Sequence, residues 1–330
     1  MASNPLRGFQ VDPSDLEFLG GGLARPECIL ASPNGDFLTC DLEGIACTHA
    51  DGSVEKIRRI EPANAPAGKK SIPNGFAIDP EGRFVIANHG QQTLERMDRN
   101  GKTEILLSSL EGRPLGDVNF VLSDGGGGFW LTVSTRIQDW FAALNQGRLN
   151  DGYIVRIDAK GARIVADGLA FTNECRIDAR GEYLYAAETF GLKISRFPLL
   201  ANGDLGPKKT YGPDDLDGFP DGIAFDAHGN LWAALMGSDR IIAITPEGEL
   251  LKILLLGKPD AFDAIRKALD ERQLTAKIMM GNVNQIAPAV TSLAFGGSDL
   301  STVYLGALWG KRIPFFRSPA AGLPMAHWPR

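Results

Sequence analysis

One phrase recurs along this chain and constrains its fold more than any other feature. It is a polar residue, a short apolar run, a tight turn that usually carries glycine, and a second apolar run. It reads Pro26-Glu27-Cys28-Ile29-Leu30 with Phe37-Leu38-Thr39-Cys40, then Pro73-Asn74-Gly75-Phe76-Ala77-Ile78 with Phe84-Val85-Ile86-Ala87. It returns at Val118-Asn119-Phe120, Thr172-Asn173-Glu174, Pro220-Asp221-Gly222 and, more weakly, Val290-Thr291-Ser292. The polar anchors stand at 27, 74, 119, 173, 221 and 291, in steps of 47, 45, 54, 48 and 70. Most of these steps are close to the size of one four-stranded propeller blade.

The apolar runs are four to six residues long, rich in Val, Ile, Phe, Tyr and Trp, and bounded by glycine turns, which is a strand signal. Further runs ending at Asn100-Gly101, Lys160-Gly161 and Glu247-Gly248 supply third and fourth strands. With 39 Gly and 20 Pro in 330 residues, long helices are disfavoured. The expectation is therefore an all-β, six-bladed β-propeller around a central channel, one domain over residues 1–330. The last blade runs out of chain after Arg312 to Arg317, so Leu16 to Leu19 is expected to close the ring as its outer strand. Two stretches break the period, at about 134–150 and 258–289. Ile137, Trp140, Phe141 and Leu144 in the first, and Phe262, Ile265 and Leu269 in the second, have helical spacing. Both read as short surface helices, the first alternatively as a lid or an oligomer contact.

Lys plus Arg is 34 against 40 Asp plus Glu, a net charge of −6, which argues against a nucleic-acid partner. No apolar run approaches the ~20 residues that span a bilayer. Pro5, Asp12, Pro13, Asp15 and Glu17 occupy the N-terminal stretch where a secretory signal would be apolar. These features predict a cytoplasmic protein with a small-molecule substrate and no membrane partner, monomeric or homodimeric. Cys28, Cys40, Cys47 and Cys175 lack zinc-type spacing and read as buried free thiols.

In a blade, the start of strand one and the loop after strand two lie at the same end of the channel. The anchors Glu27, Asn74, Asn119, Asn173, Asp221 and Thr291 are expected to converge there. This oxygen-donor set, with no His or Cys, suits a hard divalent ion: Ca²⁺ first, with Mg²⁺, Mn²⁺ or Zn²⁺ as alternatives. Asn74 and Thr291 also read as turn residues that cap their strands through local hydrogen bonds. The loops after strand two place His89, Thr135, Phe190, Met236 and Trp309 at the rim. His89 is a candidate substrate or proton-transfer contact, and Phe190, Met236 and Trp309 a candidate apolar wall.

The set Glu27, Asn119, Asn173 and Asp221, with Pro220-Asp221-Gly222-Ile223-Ala224-Phe225-Asp226 and Gly229-Asn230-Leu231-Trp232, resembles the senescence marker protein/gluconolactonase/luciferin-regenerating-enzyme-like family. The resemblance covers about Leu16 to Pro319. It implies one catalytic metal, held by those four residues, and hydrolysis of a lactone or related ester, with Asp221 as general base. It also leaves organophosphate hydrolysis and a non-enzymatic calcium-stabilised binding propeller as alternatives. At two positions where many relatives carry Arg and Asp, this chain has Asp117 and Phe120. With His89, Asn74 and Trp309, these are the expected substrate-binding residues, and they turn the expectation away from a polyhydroxylated sugar lactone.

Overall fold

The computed structural model describes residues 4–281 and 283–328. Residues 1–3, 329 and 330 of the expected domain, and residue 282 of the second insertion, lie outside the described residues. Six four-stranded antiparallel sheets form a six-bladed β-propeller. Their innermost strands are Ile29–Ala31, Pro73–Ile78, Asp117–Ser123, Thr172–Ile177, Phe219–Phe225 and Val290–Gly296. Burial falls from the axis outward: Pro73–Ile78 and Phe84–Asn88 are buried throughout, whereas the outer strand Val54–Arg58 alternates exposed and half-buried. The inner strands accordingly carry the polar anchors at their starts with buried apolar residues after them, and the outer ones read as mixed sequence.

The ring closes as the sequence predicts. Glu17–Leu19 pairs antiparallel with Ile313–Arg317, Glu17 opposite Phe315 and Leu19 opposite Ile313, so the first blade element after the N-terminus completes the last blade.

The hairpin between the first two strands is built the same way in several blades. An aspartate at the end of the inner strand accepts from backbone N–H groups two and four residues on, pinning a turn that contains a glycine. Asp79 Oδ1 takes Glu81 N and Arg83 N, Asp124 Oδ1 takes Gly126 N and Gly128 N, and Asp226 Oδ1 takes His228 N and Asn230 N. The other Asp226 oxygen accepts from Trp232 Nε1 at 2.9 Å, tying the turn to the buried second strand.

Glycine after the anchor has a different role from a turn. At Gly75, a Cβ would lie 2.7 Å from Phe120 Cα and 2.9 Å from Asn119 O. Its absence lets the inner strands of blades two and three touch where the anchors emerge.

The insertions fold as helices α1 (Trp140–Leu144), α2 (Ala261–Asp270) and α3 (Ala276–Met279). No helix among the described residues is long and apolar enough to cross a membrane. Leu144, Phe262, Ile265 and Leu269 pack with Phe190, Phe219 and Met236 in one cluster. The pair Arg148–Asp270, at 2.9 Å, ties the two insertions together.

Because the methyl of Gly75→Ala would force two touching inner strands away from each other, this substitution should lower the unfolding free energy by about 1–3 kcal/mol. Urea denaturation measures it, and an unchanged midpoint would mean the strands yield freely.

Candidate metal centre

The anchors project into the channel because the inner strands are bulged where they stand. Pro73 pairs with Asn88 and Phe76 with Ile86, so Asn74 and Gly75 together oppose one residue. The same irregularity falls at Asn119, Asn173, Asp221 and Thr291. A bulge re-aims a side chain that regular pleating would send elsewhere. In blade one, Glu27 does so just before Ile29–Ala31, beside Arg25, whose left-handed backbone (φ 62) is uncommon for a side chain of that size.

Glu27, Asn119, Asn173 and Asp221 are all under one-tenth exposed. Asn173 donates Nδ2 to Thr189 Oγ1 at 3.2 Å, and its Oδ1 is buried with no hydrogen-bond partner. Such an orphaned acceptor is costly in a protein interior unless a ligand satisfies it. Beside it, burial pushes the Asp221 carboxyl well above the usual carboxylate range, and the charges of Glu27 and Glu174 push it further. Burial likewise raises Glu27, against which the Arg25 and His89 charges pull downward. Crowded carboxylates and an unpaired amide oxygen fit a hard divalent cation, Ca²⁺ above thiolate-seeking metals. Cys40 Sγ lies 3.8 Å from Glu27 Oε2, but burial pushes its thiol to about 12, so it stays protonated.

Asn74 and Thr291 converge with these residues but bind protein. Asn74 gives Nδ2 to Glu27 Oε1 at 3.3 Å and Asn119 O at 3.0 Å, and its Oδ1 accepts from Arg25 Nη2 at 2.6 Å. Thr291 Oγ1 donates to Glu27 O at 2.8 Å. The Asn74 amide, expected at the substrate, is engaged in orienting Glu27 and linking blades one to three.

Phe120, also expected at the substrate, faces the other way. Its ring packs under the Arg176 guanidinium, 4.6 Å from carbon to centroid, and lines a cavity of ≈ 740 Å³ with Phe76, Trp130 and Met325. That cavity reaches the hairpin turns Ser123-Asp124 and Asp178–Gly181, at the end of the channel opposite the anchors.

Asp117 and His89 do meet at the mouth: His89 Nδ1 lies 2.5 Å from Asp117 Oδ1. Asp117 thus orients the imidazole rather than replacing a substrate-binding guanidinium. The Trp140 ring of α1 stands 5.9 Å from the His89 ring, so the first insertion does reach the mouth. Trp309 is half exposed, as a rim residue should be. Phe190 and Met236 are buried beneath the helices, and Thr135 is buried against Asp151, so none of the three forms the rim.

The sequence pattern did not single out Arg25, Glu174 or Arg176. Glu174 is fully buried, paired to Arg176 at 2.7 Å and accepting from Ser292 Oγ at 2.9 Å, with burial raising its carboxyl. An acidic residue directly after an anchor, with Arg176 two positions on in the same inner strand, was its one available signal.

A model of the SMP-30/Gluconolactonase/LRE-like region matches residues 26–261, more than two thirds of the chain. The 6-deoxy-6-sulfogluconolactonase of Pseudomonas putida is 25% identical over 263 residues, 78% of this chain and 77% of that one. Human serum paraoxonase/arylesterase 1 is 25% identical over 314 residues, 91% and 81% of the two chains. Among solved structures, a gluconolactonase from Xanthomonas campestris superposes with a TM-score of 0.65 over 92% of this chain and 89% of its own, at 20% identity, a likeness of fold.

The carboxyls of Glu27 and Asp221 have higher pKa values folded than unfolded, where they would sit near 4.5 and 3.8. The metal-free native state therefore binds more protons than the unfolded chain, and its stability falls as pH rises through the raised values. Chelated protein should lose thermal stability as pH rises above those unfolded-state values. Asp221→Asn should raise its Tm at neutral pH by on the order of a few degrees. Calorimetry on chelated samples decides it; stability that climbs over this range would contradict the crowding of carboxylates.

Proposed function

The chain belongs to the SMP-30/gluconolactonase/LRE-like family, and from that premise we propose that it is a Ca²⁺-dependent hydrolase that opens a lactone or a related small ester. The observation that carries the reading is the buried, unpartnered Oδ1 of Asn173 beside Asp221, a carboxyl that burial and the Glu27 charge raise. Relatives named as a sulfogluconolactonase and a paraoxonase/arylesterase support hydrolysis of a cyclic or open ester.

Glu27, Asn119, Asn173 and Asp221 would hold the ion, with Asn74 and Thr291 fixing Glu27 at its carboxylate and its backbone. When bound, the ion supplies Lewis acidity that polarises a carbonyl and stabilises an oxyanion. Asp221, the carboxylate beside the attacking water, takes its proton. His89, its Nδ1 committed to Asp117, leaves Nε2 to face the alkoxide released when the ring opens, and the proton Asp221 took from water is returned to that alkoxide. Trp140 and Trp309 flank the opening and favour a substrate with an apolar portion over a fully hydroxylated one.

Turnover of a lactone panel should fall at least about 100-fold both on chelation and in Asp221→Asn, calcium restoring only the wild type. Hydrolysis indifferent to both would remove the proposal. His89→Gln should lower kcat/KM about 100-fold with calcium affinity retained. If calcium affinity fell in parallel, His89 would be supporting Glu27 and not substrate.

A further inference from the structure

At the hairpin end of blade one, opposite the channel anchors, three side chains with metal-ligating atoms meet. His49 Nδ1 lies 3.1 Å from Asp36 Oδ1 and 4.0 Å from Cys47 Sγ, and the three ligand atoms are all within 4.8 Å of one another. The fold builds this cluster from strand geometry. Cys47 and His49, two residues apart at the end of Gly44–Thr48, share one face of the sheet. Phe37 pairs with Thr48, which brings Asp36 alongside His49 from the neighbouring strand. His49 N donates to Ser53 O at 2.9 Å, closing the turn that carries the imidazole.

We propose that Asp36, Cys47 and His49 form a second metal site, separate from the channel anchors, that takes a borderline divalent ion of the Zn²⁺ class with three protein ligands and an open fourth position. Thiolate, imidazole and carboxylate together are the donor set of such an ion and not of Ca²⁺. Tetrahedral bonds of about 2.0–2.3 Å require ligand atoms roughly 3.3–3.6 Å apart. The observed 3.1 and 4.0 Å bracket that spacing, so small side-chain rotations reach it.

Two further observations point to a ligand. With Nδ1 turned to the cluster, His49 has Nε2 4.0 Å from Glu55 Oε2, longer than a hydrogen bond but on the side where an outer carboxylate supports a metal-bound imidazole. Asp36 and Cys47 also line a cavity of ≈ 590 Å³ together with Arg99 and His327, which gives the fourth position room for water or a small ligand.

The charged and titratable groups facing the thiol are Asp36 and Glu55, which raise it, and Arg99, which lowers it. Burial is the largest influence, and the Cys47 thiol stands at about 11.

The test is Co²⁺ titration of the calcium-loaded full chain, read by absorption. A site with Cys47 gives a thiolate-to-cobalt charge-transfer band in the near ultraviolet with tetrahedral d–d bands, saturating at one equivalent and bleached by Zn²⁺. Cys47→Ser should abolish the charge-transfer band with the melting temperature unchanged, and His49→Gln should weaken Co²⁺ binding at least tenfold. Cys40→Ser, which alters the thiol beside Glu27, should leave the band intact. Absence of a thiolate band under excess Co²⁺ overturns the proposal. So does a band that survives Cys47→Ser, or an affinity indifferent to His49→Gln.

Discussion

Three buried carboxylates on one axis, Glu27, Asp221 and Glu174, set the terms for the rest of this molecule. Each has its pKa raised by burial, and the charges of Glu27 and Glu174 push Asp221 up further. Like charges out of water are tolerated only where the surroundings over-determine their positions. Here the surroundings are six sheets bolted together: Thr291 holds the Glu27 backbone, Asn74 spans blades one to three, and Ser292 holds Glu174 from blade six. Opening the ring would release these carboxylates to solvent. Closure by Glu17–Leu19 on the last blade thus helps keep the site crowded.

Arg25 and Arg176 moderate this crowding from two sides without cancelling it. Arg176 pairs with Glu174 and covers Phe120, so the channel beyond the anchors is already neutralised by protein. Arg25 approaches Glu27 only to 3.9 Å and spends its shorter contacts on Pro73 O and Asn74 Oδ1. The deficit of positive charge is therefore concentrated between Glu27 and Asp221, where the Asn173 oxygen also lacks a partner. That localisation is the physical content of a cation site.

The architecture was legible in sequence because each blade repeats the same local solutions. The turn aspartates, the bulged anchors and the glycines that let inner strands touch recur at fixed offsets, and the leftover strand demanded a partner at the N-terminus. The positions of the anchors were legible for the same reason. Their roles were less so, because role depends on what lies across the channel. Asn74 and Asn173 are indistinguishable in the repeat, yet the Asn74 oxygen meets Arg25 and the Asn173 oxygen meets none. Phe120 occupies a position where a polar neighbour was expected to face substrate, but the bulge at Asn119 turns the following side chain down the channel. Phe190 and Met236 were assigned to the rim because the repeat cannot say that inserted helices cover them.

Blade one shows how such a scaffold can keep two chemistries apart. Glu27 stands at the entry to its inner strand and Asp36 in the hairpin beyond, so the oxygen site and the thiol–imidazole site occupy opposite ends of short strands. A five-residue strand spans roughly 13–17 Å. Two divalent ions that far apart in a water-like medium repel by only about 1 kcal/mol, and the spacing exceeds the ~8 Å physiological screening length. Filling one end therefore places little electrostatic demand on the other. Selectivity is left to donor type, because the anchor end presents oxygens and a protonated Cys40, whereas the hairpin end presents an imidazole beside a thiol.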